Sequence, residues 1–473
     1  MDVNEELVFQ GALLRRFFDT FGAISYQRVP ICRYLHYQFR YFVSNRWGNT
    51  WLKKDYPQLR EEMERFELST IYQWADGPYR FDPHPGETVL MRGGFGDIAA
   101  AHWPKERFIL LSPNQAEVAV IKANRPDLTP FGIDSFYRDN PRAVEELNRQ
   151  VTRVINAQKD DPVLGSSDLA KWFQTMIQEI VRVFDAVQRL FDSQRIGAAL
   201  TISSIVWMDS AVNLIARANR VPSLTLQHGL ILNRDLFCHV PILATRKVVW
   251  GQAMVEWYRR YGFPDSRVQV VGSPRFDVIY NRKWCGKQEL HRKLGIDQDR
   301  PIMVYATGTE ANTIVPLIIE GIRSVPDLYL LMLLHPSESA LVDRYEQLAG
   351  GYPNCRVARY GEINLYDALS GADLFITHCS TAGLEAMLFN LPVITVEPFP
   401  SYFSYGDLGA TIRVTDSPGL NQAVRKLLAE EDFRLGAVAQ YQRFLSEYCQ
   451  PGGEASRRLF DELDLLLETG GIA

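Results

Sequence analysis

The 473-residue sequence lacks the features that define several large classes of protein. Its six cysteines, at positions 32, 238, 285, 355, 379 and 449, form no CxxC pair and no Cys/His spacing typical of zinc ligands. Neither a zinc site nor a disulfide framework is therefore predicted. The longest apolar run, 328–334, is far shorter than the ~20 residues that a transmembrane helix requires. No membrane-spanning segment is predicted.

The chain also lacks an excess of basic charge, because its formal net charge is −5 and its pI is near 6.0. Binding to nucleic acid depends on clustered cations that neutralise phosphates, so no nucleic-acid partner is expected. The first ten residues, MDVNEELVFQ, carry acids where a signal peptide has a basic region and an apolar core. We therefore expect a protein that is not secreted and that resides in the cytoplasm.

What the sequence does contain is an alternation of apolar strand patterns with helical patterns over most of its length. This alternation predicts an α/β fold with doubly wound parallel sheets. The length suits two cores of roughly 150 to 250 residues each. We expect an N-terminal helical extension over 1–85, a first Rossmann-like domain over 86–280 and a second over 281–450. A C-terminal helix over 451–473 is expected to pack back on the first domain.

Apolar runs and turn residues place the individual elements. Strands are predicted at 87–91, 108–111, 195–207, 221–226, 248–250, 268–271, 301–306, 328–334, 356–358, 373–376 and 393–396. Helices are predicted near 140–157, 168–191, 209–219, 254–261, 312–324, 338–348, 417–430, 432–447 and 453–468. Gly and Pro in 272–277 predict a rigid turn at a domain border, and the polar segment 281–300 predicts a connector.

The segment 28–54 is distinctive because it carries six basic residues, interleaved with aromatics, and no acid. One interpretation is peripheral contact with the inner face of the cytoplasmic membrane, or with a polyanionic or lipid-linked acceptor. The other is a helical cap whose aromatics pack on the next domain. The second is preferred, because aromatic stripes are usually part of a core.

In the first half, two motifs follow predicted strands. Gly93-Gly94-Phe95-Gly96-Asp97 does not have the GxGxxG spacing of a dinucleotide site, so we interpret Gly94 and Asp97 as residues of a loop that lines a crevice. Gln227-His228-Gly229 follows the strand at 221–226, where open α/β sheets place residues that contact ligands. His228 has a pKa suited to proton abstraction, although a structural, hydrogen-bonded histidine is an alternative.

Arg275, in the segment GSPRFD, has two interpretations as well. It could reach an anionic ligand, or it could pair with Asp277 or another neighbour on the surface.

In the second half, three motifs follow predicted strands. They are Thr307-Gly308-Thr309-Glu310, His335-Pro336-Ser337 and the segment from Ser380 to Glu385. Pro336 fixes the backbone so that His335 points into the same crevice as the other motifs. The third segment begins a helix, whose first amides and dipole favour an anion.

Within that third segment, Ser380, Thr381 and the amides beside Gly383 are predicted to hold a phosphate, and Glu385 the hydroxyls of a ribose. The alternative is an ordinary helix cap with an acidic residue in its first turn. The loop 397–409, rich in Pro, Tyr and Gly, is of a kind that often folds over a bound base or sugar.

The order of the motifs QHG, VWG, GSPRFD, LHP and THCSTAGLEA with PVI resembles that of the two-domain GT-B transferases of bacterial surface polymers. It is similar to the CDP-glycerol glycerophosphotransferases of teichoic acid synthesis, which carry WHG, GxPRxD, HP and TDYSS in that order. It also resembles the HP and Ser-Ser/Thr motifs of GT-B sialyl- and Kdo-type transferases. The resemblance covers roughly residues 200–400. Gln227 replaces the Trp of WHG, and His378-Cys379 replaces the Asp-Tyr of TDYSS.

This resemblance implies a GT-B fold, with two Rossmann-like domains whose parallel sheets face each other across a cleft. It implies that His228 is the catalytic base, that His335 binds the donor phosphate, and that Ser380 and Thr381 add phosphate contacts. The remaining site residues implied are Thr307, Gly308, Pro336, Gly383 and Glu385 on the donor side and Gly94, Asp97, Gln227 and Arg275 on the acceptor side or in the cleft.

The activity implied is inverting transfer of a sugar from a nucleotide-activated donor to a hydroxyl of a bacterial surface glycan, such as capsule or lipopolysaccharide, or of a lipid-linked acceptor. A cytidine nucleotide such as a CMP-ulosonic acid is preferred, because the HP and Ser/Thr pairing occurs in users of cytidine nucleotides. Neither a metal nor a cofactor is expected, since the single DxD, 297–299, lies in the polar connector.

Three alternatives remain open. The first is a CDP-glycerol-type glycerophosphotransferase. The second is a nucleotide-sugar 2-epimerase or hydrolase, which needs acidic groups near the sugar, and Glu310 and Glu397 are candidates. The third is a non-catalytic subunit that binds a nucleotide sugar, against which the presence of His228 argues.

Overall fold

A computed structural model describes residues 3–76, 79–84, 87–231, 236–297, 299–308, 311–399 and 404–470. The chain divides into two compact units. Unit 1 comprises residues 1–271 and 456–473, and unit 2 comprises residues 272–455. Unit 1 is therefore discontinuous in sequence, while unit 2 is one continuous segment.

Unit 1 is built around a parallel sheet that has seven strands within the described residues. A two-residue hairpin, β1 (Ser25–Tyr26) and β2 (Val29–Pro30), precedes it in the chain. The strands of the sheet are β3 (Thr88–Arg92), β4 (Phe108–Ser112), β5 (Pro130–Gly132), β6 (Ile196–Thr201), β7 (Ser223–Leu226), β8 (Arg246–Val249) and β9 (Val268–Val270). Their order is β5-β4-β3-β6-β7-β8-β9, so the direction of winding reverses between β3 and β6.

The central strands are near-continuous apolar runs because both faces of the sheet are covered. β4, β6, β7 and β8 are buried along their whole length. The helices of unit 1 are Val3–Phe21, Ile31–Trp47, Asn49–Lys54, Pro57–Arg65, Gly96–His102, Gln115–Asn124, Pro141–Ala157, Ser167–Ser193, Trp207–Ala218, Leu236–His239, Gln252–Arg259 and Ala455–Thr469.

The N-terminal helices are part of unit 1. Phe17 of the first helix stacks on Phe39 of the second with ring centroids 3.9 Å apart, and both rings are fully buried. Several basic side chains of 28–54 are engaged with other parts of the protein. Arg46 pairs with Asp168 at 2.7 Å and Lys53 pairs with Glu6 at 2.7 Å. The segment thus packs as a helical layer whose aromatic residues supply core.

The last helix, Ala455–Thr469, packs on the first sheet. Its apolar side chains Leu459, Leu463 and Leu467 are buried in one cluster with residues of β3, β6, β7 and β8. Arg458 donates to the carbonyl of Val271 at 2.8 Å, at the end of the first continuous part of unit 1. The core of unit 1 therefore requires residues from the far end of the chain.

Unit 2 is built around a parallel sheet that has six strands in the described ranges. They are β10 (Ile302–Ala306), β11 (Tyr329–Leu333), β12 (Cys355–Ala358), β13 (Leu374–Thr377), β14 (Val393–Val396) and β15 (Ile412–Val414). Their order is β12-β11-β10-β13-β14-β15, which places a reversal between β10 and β13. Its helices are Pro274–Asn281, Gly286–Leu294, Ala311–Ile322, Val342–Leu348, Leu365–Gly371, Ala382–Leu388, Ser417–Ala429 and Glu431–Tyr448.

Some sequence predictions of local structure were wrong. The run 195–207 is a strand only as far as Thr201, and a helix begins at Trp207. The segment GSPRFD does lie at the border between the two units, but it is not a rigid turn, because Pro274 occupies the first turn of a helix, where its missing N–H costs nothing. The polar connector 281–300 contains the helix Gly286–Leu294. Among the described residues, no helix combines the length and apolar character needed to cross a bilayer.

Candidate functional site

The turn that carries His228 is held by the side chain of Gln227. Gln227 is buried, accepts a hydrogen bond from the backbone N–H of Trp250 at 3.0 Å and donates to the carbonyl of Gly229 at 2.9 Å. The indole N–H of Trp250 donates to the carbonyl of Gln227 at 2.9 Å. Gln227 was expected to line the cleft, but its polar atoms are engaged inside the protein, where they fix the backbone on either side of His228.

His228 itself is exposed at the carboxyl end of β7. Its pKa lies below the ordinary value, first because the neighbouring protein removes part of its hydration and second because the Lys247 ammonium repels a second positive charge. A hydrogen bond with the backbone of Ile202 opposes this shift. An exposed imidazole that stays neutral near pH 7 is able to accept a proton from a ligand.

The GGFGD segment forms a short 3₁₀ turn, Gly93–Phe95, and then a helix that begins at Gly96. A Cβ at Gly93 would lie 2.6 Å from Ser112 Oγ, so close packing explains this glycine. A Cβ at Gly94 would meet no described atom within 4 Å, and Gly94 therefore borders open space. Asp97 is exposed and pairs with Arg125 at 2.5 Å.

A buried ion pair at the reversal point of the first sheet was not anticipated from the sequence. Arg92, the last residue of β3, contacts Asp209 of the helix Trp207–Ala218 at 3.0 Å. Asp209 is fully buried and also accepts the N–H of Ile202 at 3.0 Å. The arginine directly before GGFGD was a usable signal, but its partner lies 117 positions further on.

In unit 2, Thr307 ties the ends of β10 and β11 together. Its hydroxyl accepts the N–H of His335 at 2.9 Å and donates to Glu338 at 2.7 Å. Tyr345 donates to the other oxygen of Glu338 at 2.9 Å. Thr307 was predicted to bind the donor, and its hydroxyl is instead engaged in this internal network. Gly308 beside it borders open space, as Gly94 does in unit 1.

His335 is exposed, and the 3₁₀ turn Pro336–Glu338 that follows it determines its tautomer. Its Nδ1 accepts the N–H of Ser337 at 3.2 Å and lies 2.7 Å from the Ser337 hydroxyl. A ring whose Nδ1 accepts carries its proton on Nε2 when neutral. Nε2–H is therefore available as a donor to an anion outside the turn.

The segment after β13 is arranged by hydrogen bonds to its backbone. His378 contacts the carbonyl of Val396 through Nδ1 at 2.7 Å, so this nitrogen carries a proton. The Ser380 hydroxyl accepts the N–H of Ala382 at 3.2 Å, and the Ser380 carbonyl accepts the Tyr405 hydroxyl at 2.9 Å. Ser380 and Thr381 are both half-buried.

The amides beside Gly383 were predicted to hold a phosphate. A Cβ at Gly383 would lie 3.1 Å from the ring of Tyr405 and 3.3 Å from the Thr377 side chain. Packing within the protein is thus sufficient to explain why this position is glycine.

Glu385 is almost completely buried and has two partners in unit 2. Its Oε1 accepts from Arg275 at 2.7 Å and from the Tyr366 hydroxyl at 2.6 Å. Burial raises the pKa of Glu385, and Arg275 and Tyr366 oppose that rise. Arg275 was assigned to the acceptor side or cleft, and its expected partner was either an anionic ligand or a surface neighbour such as Asp277. It belongs to unit 2 and pairs with Glu385, 110 residues away in the chain.

Of the two acids considered for sugar chemistry, Glu310 lies outside the described residues. Glu397 follows β14 and is buried. Its Oε2 accepts from Ser404 at 2.6 Å and pairs with Arg413 at 3.1 Å. Its Oε1 is buried without a hydrogen-bond partner among the described residues.

Comparison with known proteins places this architecture in a class. A UDP-GlcNAc 2-epimerase from Neisseria meningitidis bound to UDP-GlcNAc superposes with a TM-score of 0.53 at 10% identity, over 80% of this chain and 98% of that chain. A putative UDP-N-acetylglucosamine 2-epimerase from Listeria monocytogenes gives 0.52 at 13% identity, over 81% and 97%. A glycosyltransferase from Rickettsia africae gives 0.50 at 12% identity, over 81% and 99%.

Sequence comparison gives a partial match. The chain is 31% identical over 134 residues, 27% of its length, to a UDP-N-acetylglucosamine–N-acetylmuramyl-(pentapeptide) pyrophosphoryl-undecaprenol N-acetylglucosamine transferase from Thermus thermophilus. It spans about a third of the length of that curated relative. No protein-family model matches the chain.

The two Rossmann-like parallel-sheet units, with seven and six strands in the described residues, define the GT-B fold class. The prediction of two Rossmann-like domains of the GT-B class is thereby confirmed. The narrower resemblance to sialyl- and Kdo-type transferases stays a prediction.

Proposed function

We propose that the chain is a GT-B glycosyltransferase that moves a sugar from a nucleotide-activated donor to a hydroxyl of an acceptor. The observation that carries the proposal is His228, an exposed imidazole of lowered pKa. Two hydrogen bonds of the Gln227 side chain hold the turn that presents it at the end of β7. The partially matching Thermus protein is named as an N-acetylglucosamine transferase, which is consistent with this reaction class.

In the proposed mechanism, neutral His228 accepts the proton of the acceptor hydroxyl as its oxygen attacks the anomeric carbon. The bond between that carbon and the leaving phosphate breaks on the opposite side, so the configuration inverts. The pKa of His228 is suited to this step, because a base must be unprotonated at the working pH and still basic enough to take the proton.

In this proposal, unit 2 binds the nucleotide of the donor. The Nε2–H of His335 would meet the leaving phosphate, together with the hydroxyls of Ser380 and Thr381, while Pro336 and Gly308 shape the turns around it. Donors already fixed by the protein stabilise developing negative charge by a few kcal/mol each, roughly. Glu385 would accept ribose hydroxyls through the oxygen that Arg275 and Tyr366 do not occupy.

A cytidine nucleotide such as a CMP-ulosonic acid is the donor that the HP and Ser/Thr motifs favour. The Thermus relative is named for a UDP sugar, which makes uridine the competing expectation. Thermal-shift measurements with CMP, CDP, UDP and GDP would decide between them, because a ligand that binds only the folded state raises the apparent stability. A shift with UDP and none with CMP or CDP would overturn the cytidine assignment.

The proposed acceptor is a bacterial surface glycan or a lipid-linked precursor. The name of the Thermus relative, which includes pyrophosphoryl-undecaprenol, supports the lipid-linked form. Peripheral membrane contact through 28–54 has less support, because Arg46 and Lys53 are already paired with acids. Sedimentation with anionic vesicles tests this part separately, and we expect little binding.

The decisive experiment tests the proposed roles of the two units independently. His228→Ala should abolish turnover and leave nucleotide affinity unchanged, whereas His335→Ala should weaken nucleotide binding about tenfold or more. His102→Ala, at another exposed histidine of unit 1, is the matched control and should retain turnover. Full activity in His228→Ala would refute the base assignment and leave a non-catalytic nucleotide-sugar-binding subunit as the better reading.

A second candidate function is a nucleotide-sugar 2-epimerase or hydrolase, favoured by the buried Oε1 of Glu397 after β14, which has no hydrogen-bond partner within the described ranges. Such an enzyme converts the donor without an acceptor, so product analysis with and without acceptor separates it from a transferase. Stereochemical analysis of the product also separates sugar transfer from the glycerophosphotransferase alternative, in which phosphorus rather than carbon is attacked.

A further inference from the structure

Three basic side chains lie together at the turn that carries His228. His239, in the helix Leu236–His239, has its ring centroid 6.1 Å from that of His228. Lys247 on β8 is 1% exposed, and its ammonium donates to the carbonyl of Leu226 at 3.0 Å. Leu226 is the last residue of β7, two positions before His228.

Within the described residues, the carboxylate that acts on Lys247 is already engaged. Asp209 is the acid whose charge acts on Lys247, and it is paired with Arg92 at 3.0 Å. On the other side, His239 is buried and its Nδ1 has no hydrogen-bond partner in the part of the chain that the structure describes. The groups that face His228 thus carry a surplus of positive charge whenever more than one of them is protonated.

The positive charge of Lys247 disfavours protonation of both histidines. Burial lowers the pKa of Lys247 to about 7, and Asp209 opposes that shift. The pKa of His239 is lowered by burial, then by Lys247, then by His228. Because the pKa of Lys247 still lies above the lowered pKa values of both histidines, Lys247 binds a proton first as the pH falls, and both histidines stay neutral near pH 7.

We propose that Lys247 is a positioning residue of the reaction, whose buried ammonium keeps His228 in its neutral, proton-accepting form. The inference rests on the proposed role of His228 as the base. The same ammonium repels the imidazolium that forms when His228 takes the acceptor's proton, and so favours release of that proton to solvent. Its hydrogen bond to Leu226 also fixes the end of the strand from which the turn begins.

The test is a titration of His228 in the full chain, independent of turnover. The chain has eight histidines, so labelling of the imidazole carbons gives few signals, and His228→Gln identifies the one required. In the unmodified protein, His228 should titrate below its ordinary value. In Lys247→Met its midpoint should rise by roughly half to one pH unit. Lys247→Arg should keep the low midpoint because it keeps the charge.

Lys122→Met is the matched control, since it removes one exposed positive charge from unit 1 outside this group, and it should leave the midpoint unchanged. Turnover should follow the same pattern. The acid limb of the pH profile should move upward in Lys247→Met and return in Lys247→Arg, which loss of packing alone would not produce.

An equal His228 midpoint in the unmodified chain and in Lys247→Met would overturn the inference. If Lys247→Met fails to fold, an ordinary or raised midpoint in the unmodified chain overturns it, and a low midpoint there that Lys247→Arg retains supports it. A low, Lys247-dependent midpoint together with full activity in His228→Ala would instead leave the electrostatic inference standing and refute the proposed function.

Discussion

Gln227 links the turn after β7, which carries the residue proposed as the base, to the residue that follows β8. Its side chain bridges the N–H of Trp250 and the carbonyl of Gly229, so that the peptide units around His228 are held on both sides. Each such hydrogen bond contributes about 1 kcal/mol. The imidazole therefore acts from a fixed turn, which is what a proton acceptor requires if it is to meet a bound hydroxyl in one geometry.

We expect Gln227→Ala to lower kcat about tenfold or more while nucleotide affinity stays unchanged, because His228 loses its position and unit 2 is untouched. Steady-state kinetics and nucleotide titration measure the two quantities. Gln150→Ala, at a partly exposed glutamine of the same unit, should change neither. A parallel loss of nucleotide affinity in Gln227→Ala would show that the residue acts on more than the turn.

The positions of His228 and His335 were predictable from the sequence, because each directly follows an apolar run that had to be a strand. Their environments were not. The contact between Gln227 and Trp250 depends on the register of β7 against β8, and Lys247 reads as an ordinary surface lysine until that strand is known to be buried. Such partners are fixed by packing across the sheet and leave no local pattern.

At the scale of elements, the helix Pro274–Asn281 is attached to the helix Ala382–Leu388 by the contact between Arg275 and Glu385. Glu385 has a folded-state pKa above its ordinary value. Folding therefore favours its protonated form. The contribution of Glu385 to stability is present below its pKa in the unfolded state and is lost as the pH rises through its pKa in the folded state. Arg275 limits this loss by favouring the ionised form.

Arg275→Met should consequently destabilise unit 2 by roughly 1–3 kcal/mol at pH 7.5, where Glu385 would be left buried with Tyr366 alone. The loss should shrink toward pH 5, as Glu385 takes up a proton. Urea unfolding at the two pH values measures both quantities. Arg292→Met removes an exposed pair with Glu289, which water and salt screen, and should leave the stability nearly unchanged at either pH. A pH-independent cost in Arg275→Met would exclude this account.

The elements that the sequence predicted well are long or strongly apolar, such as β4, β11 and the helix Ser167–Ser193. Those that it missed are short or polar. The edge strands β5 and β15 have three residues each, too few to show a period. The helix Gly286–Leu294 is rich in Lys, Arg and Gln and presents only a narrow apolar face, so its composition resembled that of a connector.

At the scale of the whole molecule, Leu463 joins the C-terminal helix to the core of the first sheet, since it is fully buried among residues of that sheet. Leu463→Ala should destabilise unit 1 by about 2–5 kcal/mol and leave the nucleotide-stabilised transition of unit 2 in place. Calorimetry with and without nucleotide distinguishes the two transitions. Leu465→Ala, at a partly exposed leucine of the same helix, is the control. Equal shifts of both transitions would contradict the assignment.

The discontinuity of unit 1 affects the order in which the two units fold during synthesis on the ribosome. Segments that emerge first usually fold first. Here the strands of unit 1 are synthesised first, but part of their apolar surface is buried only when the leucines near residue 460 have been made. The sheet of unit 2 lies within the continuous segment 272–455. The nascent chain should thus complete its second half before its first, and a premature stop near residue 450 would release a polypeptide with a formed sheet in unit 2 and an open one in unit 1.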